Sequence, residues 1–120
     1  MNGEEITTYL ANIIAVARSD NALSSHEELA LEQIYDELNA KKNEIKEAKK
    51  LANSPDFSLR LGSRFSDQIR NLEDMVLVCL VDGEISDLEK KMISAYVKQT
   101  RLLKNSLQVF MLPASQALKH

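Results

Sequence analysis

The chain has 120 residues, 44% of them apolar and 5% aromatic, with three glycines, two prolines and a net charge of −3; that is enough for one domain with an aliphatic core and too little for two ordinary ones. The longest apolar run, Met75 to Val81, is seven residues against the roughly 20 that a membrane-spanning helix needs, and Glu4 and Glu5 stand where a signal peptide would be basic, so no membrane insertion and a cytoplasmic location are expected. The single cysteine, Cys79, rules out an internal disulfide and sits where a thiol normally behaves as a small core hydrophobe.

Apolar spacing predicts helices along the whole chain and strands nowhere. Ile6, Leu10, Ile13, Ile14 and Ala17 mark one face of a helix over about 4–18. A second helix from Ser24 or Ser25 carries Leu31, Ile34, Tyr35 and Leu38 and is expected to run on through Lys41–Leu51, until Asn53-Ser54-Pro55-Asp56 stops it. Phe57, Leu59, Leu61 and Gly62 form a connector, with one helical turn in it as an option. A helix over roughly 64–81 turns apolar on every side from Met75 on, which predicts the buried, central helix of the fold. Ser86 to about Thr100 forms the next, on Leu88, Met92, Ala95 and Tyr96. A last amphipathic piece holds Leu107, Val109, Phe110, Met111 and Leu112 before Pro113 ends or kinks it.

One phrase occurs twice. Asp20-Asn21-Ala22-Leu23-Ser24-Ser25-His26-Glu27 returns 62 residues later as Asp82-Gly83-Glu84-Ile85-Ser86-Asp87-Leu88-Glu89, each copy between an apolar run and a helical stretch. The shift also matches Ile13 with Met75, Val16 with Val78, Leu23 with Ile85 and Leu31 with Ile93. The expected architecture is therefore a single all-α domain over 1–120, an orthogonal bundle of about five to seven helices. It is built from two duplicated helical hairpins, with pseudo-repeats near 4–40 and 64–102.

Two readings of the repeated loop stand side by side. Ser24 with Glu27 and Ser86 with Glu89 each fit a capping box, in which the hydroxyl accepts from the third helical amide and the glutamate reaches back to the cap amide. Glu27, Glu28 and Asp87 suit the positive end of a helix dipole, and Gly83 suits a left-handed turn. Helix ends then explain every motif residue except the aspartate, for which an Asx turn is the local option. Alternatively, Asp82, Gly83, Ile85, Ser86 and Glu89 align with the second half of a calcium loop. The first half fails, because Val78 and Leu80 would fill ligand positions; any divalent cation, calcium or magnesium, would hold few protein ligands and bind weakly. The candidate metal residues are Asp82, Glu84 and Glu89, with Asp20 and Glu27 in the first copy, where Ala22 replaces Glu84.

The run Asp-Gly-Glu-Ile-Ser-Asp-x-Glu at 82–89, behind an apolar helix and with a degenerate copy upstream, resembles the TerB-like tellurite-resistance domain. The resemblance spans nearly the whole chain, with its specific letters confined to the two loops. It implies a duplicated helical bundle of the bacterial cytoplasm, a part in tellurite resistance or stress response, and acidic loop residues suspected of metal binding: Asp20, Glu27, Asp82 and Glu89. The sequence departs from the family at Asn21, where glycine is usual. The same domain is also found in front of the J domain of a membrane-anchored co-chaperone; no J domain follows here, so that version is not expected.

Charge is uneven along the chain. Residues 1–40 set one basic residue against eight acidic (−7), and residues 41–70 set eight against four (+4). Lys42, Lys46, Lys49 and Lys50 share an arc of one helix, with Glu44 and Glu47 opposite; this is either a solvated face or a surface for phosphate, anionic lipid or an acidic partner. Aromatic interleaving and Gly-rich phosphate loops are missing, so nucleic-acid binding is not expected. His26 and His120 complete no zinc set, and no Ser or Cys has a histidine placed to activate it. The sequence thus points to a non-enzymatic interaction module with a protein partner, membrane-associated in one version. The alternative is a metal-binding protein or enzyme using the paired acidic loops.

Overall fold

The computed structural model describes residues 1–20 and 22–100, and the segment containing Leu107 to Pro113 lies outside the described residues. Five α-helices and no strand make up the described residues: α1 (Gly3–Ala17), α2 (Ser25–Leu38), α3 (Lys42–Ala52), α4 (Phe65–Leu80) and α5 (Asp87–Gln99). The fold is a small all-helical bundle.

Helix starts follow the local chemistry. Ser24 and Ser86 accept from the amides of Glu27 and Glu89 at 3.1 and 3.2 Å, while those glutamates accept from the serine amides at 2.8 Å, so both capping boxes are complete. A third box, unanticipated, opens α1: Asn2 Oδ1 accepts from the Glu5 amide at 2.8 Å and Glu5 from the Asn2 amide at 3.0 Å. The expected run from α2 into Lys41–Leu51 is broken. Asn39 adopts the left-handed conformation (φ 53°), its side chain tolerating what most residues resist, and α3 starts afresh with Glu44 accepting from the Lys41 amide at 2.8 Å.

The central helix is α1, and this corrects the expectation placed on α4. Every residue from Tyr9 to Ala17 is buried, and Ala11, Ala15 and Ala17 are small enough to let neighbours approach from all sides. α1 packs against α3, α4 and α5, whereas α4 is covered on one side by α1, α2 and α5 and leaves Leu77, Leu80 and the C-cap residue Val81 in solvent. Leu10, Ile13, Ile14, Val16, Leu31, Ile34, Met75, Val78 and Tyr96 fill the core, each large aliphatic contributing about 1.5–3 kcal/mol by leaving water. Leu23 and Ile85, matched by the repeat, both pack on this core half-buried.

The packing also relates the two halves. The 62-residue shift exchanges α2 on α4 with α5 on α1, and both contacts are present. It exchanges a pair of polar links between α1 and α4 as well. Tyr9 donates its hydroxyl to Asp74, and Asn12 donates to Asn71 Oδ1 at 2.7 Å; adding 62 to 9 and 12 gives 71 and 74. The halves are not identical, since α4 and α5 pack on each other more closely than α1 and α2 do.

The connector contains no helical turn. It is instead pinned by Asn12, which accepts from the Arg60 amide at 2.9 Å and donates to the Arg60 carbonyl at 2.7 Å. Leu59 is thereby buried, and the Arg60 guanidinium sits 5.5 Å from the centre of the Phe57 ring.

Candidate functional site

Because α1 and α4 lie side by side, the loops that follow them meet at one end of the bundle. Asp20, Glu27, Asp82, Glu84 and Glu89, all five of the carboxylates singled out in the sequence, line one cleft of about 340 Å³, together with Ala22, Ser24, Ser86 and Cys79. Two separate loops have become one site. Asn21 lies outside the described residues.

Asp82 joins the loops. Its Oδ2 accepts from the Ser24 hydroxyl at 2.8 Å and its Oδ1 lies 3.4 Å from His26 Nδ1, the one contact among the described residues within ion-pair distance, charged only when the imidazole is protonated. The aspartate that local turn chemistry left unexplained thus bridges to the cap of the other half's helix. Gly83 holds the turn beside it at φ +107°, where a side chain would be strained. No corresponding bond from Ser86 to Asp20 is present among the described residues.

Glu27 and Glu89 are buried, and each spends one oxygen on its own cap amide. Burial pushes the Glu27 carboxyl above the usual range; the bonds from Ser24 pull it back, and the charges of Asp82 and Glu89 add to the rise. Cys79 is buried at the floor of the cleft, its thiol pushed far up by burial and then by Glu89, Glu27 and Asp20. A thiol so placed stays protonated and unreactive. The core role expected of Cys79 holds, with an acidic cleft above it.

Among the described residues no three His, Cys, Asp or Glu side chains are placed to hold a metal ion together. The reason is visible in the bonds above: Glu27 and Glu89 face their caps, and Asp82 faces Ser24 and His26. The carboxylates share a cleft without forming a ready cage. What the cleft presents is a concentration of negative charge with the exposed side chains of Asp20, Asp82 and Glu84 at its surface.

No family model matches the chain, and neither a curated protein nor a solved structure is significantly similar to it. The TerB-like resemblance therefore rests on the letters of the two loops.

Elsewhere, Lys42, Lys46, Lys49 and Lys50 are exposed on the side of α3 away from α1, and Glu47 is exposed beside them, whereas Glu44 is buried at the start of the helix. A second cavity, of about 180 Å³, lies against Tyr9, Asn12, Asn71 and Asp67 near the start of α1. Its floor was not anticipated. The available signal was Asn12 inside an apolar helix, and the 62-residue shift that lays Tyr9 on Asn71 and Asn12 on Asp74. No described helix is long and apolar enough to cross a membrane.

Proposed function

We propose that this chain is a TerB-like interaction module, non-enzymatic and cytoplasmic, that docks a basic group of a protein partner in the cleft between its two acidic loops. The resemblance ties such a module to tellurite resistance or stress response. One observation carries the reading: carboxylates from loops 62 residues apart line a single cleft, where, among the described residues, only His26, itself exposed, lies within ion-pair distance of any of them. Unneutralised carboxylates in a concave site attract cations and steer oppositely charged partners. A guanidinium or ammonium group on a partner needs no preformed cage, only oxygens at the rim, which Asp20, Asp82 and Glu84 provide.

Glu27 and Glu89 hold helix ends in place, and Cys79 is buried beneath them. The test is a titration of ¹⁵N-labelled protein with a hexa-arginine peptide. Amide shifts concentrated in residues 20–27 and 79–89 support the proposal, and shifts scattered over the acidic surface of α2, or absent, contradict it.

A further inference from the structure

The inner side of α3 is narrow and its outer side is cationic. Glu44, Ala48 and Ala52, at i, i+4 and i+8, are the buried residues of this helix, which packs on α1. Lys42, Lys46, Lys49 and Lys50 occupy the opposite side, within an arc of about 100° and a length of about 12 Å. All four are exposed, as is Lys41 at the N-cap. Among the described residues no carboxylate lies within ion-pair distance of any of these lysines, so the excess of positive charge in residues 41–70 is not spent on the acidic residues of 1–40. Glu47 stands at the edge of the arc, toward Glu4, and both line the groove between α3 and α1.

We propose that the outer face of α3 docks on an anionic phospholipid surface, held by charge and without insertion. Three features favour a lipid surface over other polyanions. The arc contains no apolar side chain, whereas a stable protein interface is built round an apolar core and is depleted in lysine. Residues 41–52 include no arginine, whose planar fork suits single phosphates and carboxylates, and no aromatic ring on which a base could stack. What the arc does hold is a row of flexible, hydrated point charges that need no fixed partner geometry. The negative potential of a lipid leaflet rewards each lysine that reaches it, by about fivefold in affinity apiece. The net charge of −3 does not oppose this, because salt confines the field of the membrane to about 10 Å and so to the face that touches it. The acidic cleft takes none of its lining from α3 among the described residues, so the two sites are separate.

Co-sedimentation of the full chain with vesicles is the test. Phosphatidylcholine vesicles containing about one-third phosphatidylserine should carry the protein down at low salt and release it as salt rises, and pure phosphatidylcholine should not bind it. Lys46 and Lys50 lie one turn apart at the middle of the exposed side. Replacing both, Lys46→Gln with Lys50→Gln, should weaken binding roughly twentyfold, whereas Lys46→Arg with Lys50→Arg keeps the charge and should hold affinity within about twofold. Circular dichroism establishes that each variant is folded. Binding without phosphatidylserine, or binding indifferent to the glutamine pair, overturns the proposal. So does release by inorganic phosphate beyond that caused by chloride at equal ionic strength, which would make the lysines a site for the free anion. Poly-glutamate bound more tightly than the vesicles at equal charge concentration would likewise overturn it, in favour of an acidic protein.

Discussion

The Ser24 hydroxyl donates to the Asp82 carboxylate at 2.8 Å, linking residues 58 positions apart and tying the cap of α2 to the turn that ends α4. Ser24 therefore has two tasks, since it also accepts from the Glu27 amide, whereas among the described residues the Ser86 hydroxyl only caps α5. Ser86→Ala should cost about 1 kcal/mol, the usual loss for a missing cap. Ser24→Ala should cost about 0.5–1 kcal/mol more, the worth of one further hydrogen bond. A double-mutant cycle with Asp82→Ala should show that coupling for Ser24 and none for Ser86. Equal costs and no coupling in urea melts would mean that the bond adds nothing in solution.

Helix ends were legible in the sequence because capping is local: Ser24, Glu27, Ser86 and Glu89 bond within three residues of one another, and Gly83 takes the positive φ its turn needs. Which helix would be central was not legible. The pattern after Met75 reports that α4 is apolar on all sides but not which sides find a neighbour, and Leu77, Leu80 and Val81 find none of sufficient cover. The break between α2 and α3 rests on one backbone conformation, at Asn39, with no glycine or proline to announce it. The meeting of the two loops follows from α1 lying on α4, a long-range fact that the repeat hinted at without fixing.

Asn12 and Tyr9 hold α1 to the rest of the chain by buried and half-buried polar links. Replacing Asn12 by Leu keeps the branched shape but strands the Arg60 backbone and Asn71 groups. The expected cost is about 2–4 kcal/mol, well above that of a surface change. Tyr9→Phe should cost about 1–2 kcal/mol and move Asp74 further up from its already raised pKa, because the tyrosine bond now holds it down. Denaturant melts and an NMR titration of the Asp74 carboxyl check both; a neutral Asn12→Leu would contradict the assignment.

The raised pKa of Glu27 fixes the sign of a pH effect. The folded state keeps this proton to higher pH than the unfolded chain, whose glutamate titrates near the ordinary value of 4.5. Its contribution to stability is therefore present at acid pH and declines as pH rises from that value through the raised one. Asp74, also raised, acts in the same direction. Glu27→Gln keeps an oxygen for the Ser24 amide and removes the charge, so it should flatten this dependence and be at least as stable as wild type at pH 8. A variant less stable at pH 8, with the slope unchanged, would show that burial does not penalise this carboxylate.

Calcium provides a separate check on the cleft. A site that binds only the folded chain raises stability by about 1.4 kcal/mol when ligand exceeds Kd tenfold. With no three ligands placed together, wild type and Asp82→Asn should show the same small response of Tm to millimolar calcium or magnesium. A rise in wild type that Asp82→Asn abolishes would mean that the loops rearrange into a true cation site.

The most direct measurement is the affinity of a fluorescent hexa-arginine peptide for the wild-type chain and for an Asp82→Asn, Glu84→Gln double variant, read by anisotropy at two salt concentrations. Both substitutions leave the capping boxes intact. Docking in the cleft predicts binding that weakens roughly tenfold or more in the variant, two charge-assisted contacts being lost, and that weakens further with salt. Equal affinity for the two proteins would contradict the account, because the peptide would then be held by acidic residues elsewhere on the bundle.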